Sequence, residues 1–169
     1  VAVGANGTIW VMAAETLVNG GGSVDLYDAM PSVGRKFLLA GKGGLNLTHA
    51  ERAEKFATRY GARATDVAPW LAAFGPQQLR DWAQKLGIAT FVGTSQRVFP
   101  KEMKAAPLLR AWLHRLRAAG VRFHVRQRWT GWTDDGDLCF ATVQGEHMVH
   151  AACTVLALGG GSWARLGSD

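Results

Sequence analysis

The sequence contains few cysteines and no long apolar run. Its 169 residues include two cysteines, Cys139 and Cys153, which lie in strand-like apolar segments without a CxxC spacing. That pattern favours buried thiols in a reducing compartment over a disulfide framework or a thiolate metal site. No apolar stretch reaches the roughly 18 residues that a membrane-spanning helix needs, and no signal peptide is visible. We therefore expect a cytoplasmic protein without a membrane partner.

The sequence also lacks the signatures of several enzyme classes. It has no G-x-S-x-G nucleophile elbow and no clear nucleophile–base pair. Its five histidines show no metal-ligand spacing. We therefore predict no metal site, and we assign no catalytic residue.

Acidic residues are fewer than basic ones. The chain has 13 Asp and Glu against 19 Lys and Arg, a net charge of +6. This balance raises the hypothesis of nucleic-acid binding, but the basic residues are scattered, as on a solvated helix face and the strand after it. An anionic small molecule explains the charge equally well, and we expect such a partner rather than a nucleic acid. The scattered set includes Arg110, Arg115, Arg117, Arg122, Arg126 and Arg128.

The order of apolar segments predicts an α/β fold. Residues 1–28 follow the pattern strand, glycine turn, helix (Met12 to Leu17) and strand, which is a βαβ unit with a parallel strand pair. A helical segment follows, and from Val121 a period of two indicates antiparallel strands. The apolar run Cys153 to Leu158 is typical of a central parallel strand. We thus predict a Rossmann-like parallel sheet with a helical insertion and an antiparallel β meander.

The expected subdivision of this partial domain, residues 1–169, has four parts. They are a βαβ unit with a glycine- and cation-rich loop (1–48), a helical segment (49–120), a β meander (121–152), and a return strand with a glycine loop (153–169). In the helical segment we predict a helix from Ala50 to Tyr60 with Glu51 on its solvent side and Phe56 and Tyr60 packed. We also expect most of the seven tryptophans to pack in the core.

The first glycine turn and the acidic residue after it suggest a dinucleotide site. A dinucleotide fold has G-x-G-x-x-G after its first strand, so that the pyrophosphate lies on the next helix N-terminus. Of the three motif glycines only Gly7 is present, because Ala5 and Trp10 occupy the other two positions. Asp28 lies about 20 residues further, where an acidic side chain binds the ribose hydroxyls.

The segment Ser32 to Thr48 is the most distinctive part of the chain. It is too apolar for a disordered linker and too rich in glycine and cations for a core element. Its glycines allow a close backbone approach or a positive φ, and its cations favour an anion. We predict that it holds a phosphate or the edge of a polar ring. The residues concerned are Arg35, Lys36, Gly41, Gly43, Gly44, Asn46 and Thr48.

A third candidate element is the run Leu156 to Ser162, an apolar strand that ends in glycines. Ligands of open α/β sheets bind beyond the carboxyl ends of parallel strands. Gly159 and Gly160 are therefore predicted to lie against a ligand.

These elements, in this order, resemble a bacterial flavoprotein family of the two-dinucleotide-binding-domain superfamily. Its members are described as NAD(P)/FAD-dependent oxidoreductases or aminoacetone-oxidase-like FAD-binding enzymes. The resemblance covers nearly the whole chain and is most specific between Gly34 and Thr48. The other matching segments are 24–33, 97–100, 128–132 and 155–169.

The resemblance implies a fold, a cofactor and roles for residues. It implies FAD, with Asp28 on the adenosine ribose and the Gly34 to Thr48 loop near the pyrophosphate and isoalloxazine. It also implies a redox reaction on a small-molecule substrate, with NAD(P)H as a candidate electron donor. The chain would be the N-terminal part of such an enzyme, without the C-terminal half of the family fold. The alternative is a truncated or decayed flavoprotein-like domain that holds no flavin and acts as a non-catalytic or interaction module.

Overall fold

A computed structural model describes residues 2–4 and 9–158 of the chain. The helices and strands of these residues are, in chain order, β1 (Ala2–Gly4), α1 (Ile9–Asn19), β2 (Asp25–Asp28), α2 (Arg35–Ala40), β3 (Thr48–His49), α3 (Ala53–Thr58), α4 (Ala64–Ala73), α5 (Pro76–Lys85), β4 (Thr90–Val92), β5 (Arg97–Pro100), α6 (Ala105–Ala118), β6 (Arg122–Val125), β7 (Arg128–Trp132), β8 (Leu138–Thr142), β9 (Gly145–Val149) and β10 (Val155–Ala157).

The chain divides into two compact units. The first comprises residues 1–39 and 113–169, and the second comprises residues 40–112. None of the helices in the described residues is long and apolar enough to cross a membrane.

The first unit is built on a parallel sheet with the strand order β10-β1-β2-β6. β1 pairs in parallel with both neighbours, so Gly4 lies beside Asp28 on one side and beside Ala157 on the other. With β1, β2, β6 and β10 as strands one to four, this is the 3-2-1-4 order of a dinucleotide-binding fold. The predicted α/β class with a Rossmann-like sheet is confirmed.

The helix between the first two strands is longer than predicted. It runs from Ile9 to Asn19 rather than from Met12 to Leu17, and it buries Val11 and Ala14 completely. The glycines after it end the helix as expected, because Gly21 has a φ of 83° that other residues rarely adopt.

The antiparallel meander consists of β7, β8 and β9 in sequential order. Its inner face packs on the parallel sheet, where the rings of Tyr27 and Phe140 stack with centroids 4.3 Å apart. The strand after Gly120, however, is β6, and it pairs in parallel with β2. Residues 122–125 of the segment assigned to the meander therefore belong to the parallel sheet, a distinction that the period of two cannot make.

The apolar strand near the end of the chain is β10, and its position differs from the prediction. The sequence favoured a central strand, but β10 is the outermost strand of the sheet within the described residues. Leu156 is 45% exposed there, whereas Ala157 is buried. An apolar sequence indicates a strand that suits burial, and it does not specify how many neighbours pair with it.

The second unit contains the sheet β3-β5-β4 and helices α3 to α5 with the first part of α6. Its core includes Leu108 and Trp112 of α6, and the Trp112 ring meets that of Trp82 edge-on with centroids 4.8 Å apart. The expectation that most tryptophans pack in the core holds for Trp112. It is wrong for Trp70 and Trp132, which are 69% and 48% exposed.

The helix predicted from Ala50 to Tyr60 is reduced to Ala53–Thr58. Arg52 has the extended backbone angles φ −58° and ψ 145° and lies at the N-cap position. Glu51 is not on a solvent side, because its side chain is 7% exposed and forms an ion pair with Arg59. Tyr60 is 40% exposed rather than packed. The ion pair with Arg59 keeps the Glu51 carboxylate buried, and helical periodicity in the sequence cannot predict such a contact.

Candidate functional site

The first half of the candidate site lies at the carboxyl edge of the parallel sheet. β1 ends at Gly4, β2 ends beside it at Asp28, and β10 ends on its other side at Ala157. α1 begins at Ile9, shortly after β1, and it has no acidic residue in its first turn. Free N–H groups and the helix dipole favour an anion at such a helix start.

Asp28 is the best-defined polar group at this edge. Its residue is 3% exposed, and its Oδ1 accepts a hydrogen bond of 2.7 Å from the Met30 N–H. Burial raises the pKa of this carboxyl to about 6, and the Met30 N–H and the charge of Arg35 oppose that rise. Since desolvation disfavours the charged form, the carboxylate would gain from further hydrogen-bond donors. The two hydroxyls of a ribose are donors of this kind.

Two cations follow Asp28 in the first unit. Gly34 has a φ of 75° and precedes α2, which begins with Arg35 and Lys36. Arg35 is close enough for its charge to lower the pKa of Asp28. Lys36 is 8% exposed, so it is part of the packed structure and not a solvated loop cation. The structure thus brings Asp28 and Arg35 together.

The glycines predicted to lie nearest the ligand in this unit fall outside the described residues. This applies to Gly7 after β1 and to Gly159 and Gly160 after β10. Their assignment stays a prediction, supported by the positions of the two strands that lead to them. These strands are adjacent, and they are the strands at which the order of the sheet reverses. Dinucleotides bind at this switch point in doubly wound sheets.

The second half of the predicted site, residues 41–48, belongs to the second unit. Two of its glycines have internal explanations. A Cβ on Gly41 would lie 2.5 Å from the Cβ of Ala105, so Gly41 is required by packing against α6. Gly44 has a φ of 122°, and a Cβ there would meet the side chain of Met103 at 2.8 Å.

Gly43 differs from both neighbours. A Cβ added to Gly43 would have no atom within 4 Å, and Gly43 has no positive φ. Leu45 anchors the loop, because it is buried and donates its N–H to the Met103 carbonyl. Asn46 is exposed, and Thr48 pairs with Val98 in the sheet of the unit. Of the loop residues predicted to bind the ligand, Gly43 and Asn46 are therefore the exposed ones.

The arginine series is largely a solvated face, as predicted, because five of its six members are exposed, but Arg115 and Arg122 also form ion pairs. Arg122 donates from Nε to Asp25 Oδ1 at 2.7 Å, and His124 Nε2 lies 2.8 Å from the same oxygen. The hydrogen bond to Arg122 and, to a smaller extent, the one to His124 lower the pKa of Asp25 to about 2, although partial burial acts in the opposite direction. Arg115 forms an ion pair with Glu15. The alternation of side chains in β2 and β6 is compatible with a contact between Asp25 and Arg122, but only the parallel register of the two strands shows that these residues are partners.

No metal site emerges from the part of the chain that the structure describes, where no group of three His, Cys, Asp or Glu side chains is arranged around an ion position. No disulfide joins Cys139 to Cys153; Cys139 is half-buried and Cys153 is exposed, so the expectation of buried thiols is wrong for Cys153.

The fold and the edge described above define a dinucleotide-binding Rossmann domain. The family model of the HI0933-like protein Rossmann domain matches residues 1–169. The chain therefore belongs to this family, which is a FAD-binding family.

Solved structures share the fold at low sequence identity. The 3-ketosteroid-Δ4-(5α)-dehydrogenase from Rhodococcus jostii RHA1 aligns with a TM-score of 0.66 and 13% identity, over 92% of this chain and 44% of that one. A flavocytochrome c3 fumarate reductase aligns with a TM-score of 0.59 and 16% identity, over 94% of this chain and 33% of that one. CabE, an aromatic hydroxylase from angucycline biosynthesis, aligns with a TM-score of 0.55 and 16% identity, over 99% of this chain and 32% of that one. The chain thus spans less than half the length of these proteins. No curated protein matches the sequence.

Proposed function

We propose that this chain binds FAD and forms the FAD-binding part of a flavin-dependent oxidoreductase. The observation that carries the proposal is the position of Asp28. It is a buried carboxyl at the end of the second strand of a 3-2-1-4 sheet, beside the end of the first strand. Family membership and the flavoenzyme folds support the same cofactor.

The adenosine half of FAD would be held by the first unit. Asp28 would accept hydrogen bonds from the ribose hydroxyls, which favours its ionised form. The pyrophosphate would lie near Gly7 and the start of α1, where no acidic side chain of the first turn opposes it. Arg35 supplies a positive charge near this edge, and we assign it and Lys36 to the phosphates.

The family resemblance assigns the loop of residues 41–48 to the flavin half. Gly43 has no side chain, and no atom lies within 4 Å of the position that a Cβ would take, so a planar ring can come close to the backbone there. Asn46 and Thr48 offer polar groups beside it. Gly41 and Gly44 would act indirectly, because their packing against Ala105 and Met103 fixes the course of the loop.

The residues present at the edge fit a bound dinucleotide. The buried Asp28 carboxyl has one hydrogen-bond donor, Met30 N, among the described residues, and burial raises its pKa. FAD supplies the redox chemistry when bound, and the protein supplies position and electrostatics. The remaining proposals are NAD(P)H as electron donor, a small-molecule substrate, and action in a bacterial cytoplasm. The resemblance to bacterial flavoproteins supports them, and the absence of a Cys139–Cys153 disulfide suits a reducing compartment.

The simplest test is the colour of the purified protein. We expect a yellow protein with an absorbance band at roughly 450 nm, and release of that flavin on denaturation. Protein purified without cofactor should regain the band when FAD is added and excess FAD is removed. Protein that stays colourless after reconstitution would instead support a non-catalytic module of the same fold.

A further inference from the structure

The second unit contains a cavity of about 340 Å³ near the end of β3. Small-molecule pockets have volumes of roughly 300–1,000 Å³, so the cavity could admit a compound of about ten heavy atoms. Its lining comes from the chain after β3, the end of α4 and the start of α5. The lining residues that matter here are His49, Glu51, Leu71, Ala72, Pro76 and Arg80.

The lining has an apolar part and a polar part. Leu71, Ala72 and Pro76 present hydrocarbon, whereas Arg80 and His49 present nitrogen donors. A pocket with an apolar wall and a few placed polar groups selects ligands with the same two parts.

Arg80 carries the charge of the cavity. Its side chain is half-buried, and its Nε donates to Thr90 Oγ1 at 3.4 Å. Among the ion pairs of the described residues, none involves Arg80. A guanidinium has five N–H donors in a planar fork that matches a carboxylate. Arg80 therefore keeps most of its donors for an added anion.

The acidic residue of the lining does not neutralise Arg80. Both oxygens of Glu51 contact Arg59, with Nη2 to Oε2 at 3.1 Å, and the Glu51 side chain is 7% exposed. His49 Nδ1 accepts a 3.4 Å hydrogen bond from the Glu51 N–H. Glu51 Oε1 lies 3.5 Å from the same Nδ1, so Nε2 is the His49 ring nitrogen that can serve as a second donor to a ligand.

We infer that this cavity binds a small carboxylate with an apolar body. The carboxylate pairs with the Arg80 guanidinium, with His49 as an additional donor, and the body lies against Leu71, Ala72 and Pro76. The site is separate from the residues assigned to FAD, and it is tested without the cofactor.

Benzoate is the probe, and benzamide is its neutral counterpart of nearly equal shape. Titration of the ¹⁵N-labelled chain with benzoate should shift the backbone amides of residues 49–53 and 75–80 in a saturable way. Benzamide should bind at least tenfold more weakly. Arg80→Gln should weaken benzoate binding at least tenfold, while Arg63→Gln should leave it unchanged. Arg63 is the matched control because its side chain is 80% exposed and lies outside the lining.

A second variant tests the cavity without altering its charge. Ala72 is exposed and lines the cavity, so Ala72→Phe should fill it and abolish benzoate binding even where Arg80→Gln fails to fold. Equal binding of benzoate and benzamide would overturn the proposal. The absence of a saturable shift would also overturn it, as would wild-type benzoate affinity in folded Arg80→Gln or in folded Ala72→Phe. None of these results bears on FAD binding.

Discussion

Replacing Asp28 with asparagine is expected to stabilise the FAD-free protein at pH 8. Asparagine keeps the size of the side chain and still accepts the Met30 N–H, but it removes the buried charge. The ordinary pKa of 3.8 rises to about 6 in the folded protein. A carboxyl whose pKa is raised on folding destabilises the folded protein at pH values above that raised pKa, and it has no such effect at pH values well below the ordinary pKa. The shift from 3.8 to about 6 corresponds to roughly 3 kcal/mol of folding free energy. Urea unfolding should show a gain approaching that size at pH 8 and almost none at pH 3.

The same substitution is expected to weaken FAD binding. Asp28→Asn replaces charge-assisted hydrogen bonds to the ribose, which contribute roughly 1.5–3 kcal/mol. The dissociation constant should therefore rise by about 10- to 150-fold. A gain in stability together with a loss of affinity distinguishes a ligand-binding carboxyl from a structural one.

Asp25→Asn is the matched control for this variant. Asp25 lies on the same strand at the opposite edge, and Arg122 and His124 hold its pKa at about 2. A lowered pKa stabilises the protein above the ordinary value, and that stability is lost as pH falls from about 4 towards 2. Asp25→Asn should thus destabilise the protein at neutral pH and leave FAD affinity unchanged. If Asp28→Asn behaves like this control, Asp28 has a structural role.

Two neighbouring glycines of the loop are expected to respond oppositely to alanine. Gly41→Ala places a Cβ 2.5 Å from that of Ala105, and the overlap should cost about 1–3 kcal/mol of folding stability. Gly43→Ala adds a methyl group to open space and should leave folding unchanged. If the flavin packs on this backbone, Gly43→Ala should weaken FAD binding about tenfold, or about 1.4 kcal/mol.

Thermal unfolding and FAD titration of both variants measure these effects. The sharpest outcome concerns Gly43, because its effect should appear in the complex and not in the FAD-free protein. Wild-type FAD affinity in Gly43→Ala would mean that the flavin does not approach the loop at this residue. Unchanged stability in Gly41→Ala would show that α6 can shift at Ala105 to make room for the added methyl group.

Local signals in the sequence predicted the sheet and the position of Asp28. The strand, turn, helix and strand pattern of residues 1–28 depends on neighbours in the chain, so it indicates a parallel pair directly. Asp28 follows from that pattern, because an acidic residue that ends the second strand lies at the carboxyl edge. Its burial and raised pKa do not follow, since they depend on the neighbours that pack around it.

Features that depend on distant residues could not be predicted. Gly41 and Gly43 lie in the same glycine-rich segment, yet only Gly41 meets Ala105, 64 positions away. Arg122 resembles the other arginines until the parallel register places it beside Asp25. Likewise, Glu51 has the spacing of a solvated helix residue, and its ion pair with Arg59 sets its burial.

Titration of the protein with FAD at pH 5 and pH 8 tests the central claim most directly. At pH 5 a carboxyl with a pKa of about 6 is roughly one-tenth ionised, and at pH 8 it is almost fully ionised. We predict that FAD binds about tenfold more tightly at pH 8 and that Asp28→Asn abolishes this difference. FAD binding that is equal at both pH values, or a pH dependence that survives in Asp28→Asn, would contradict the account.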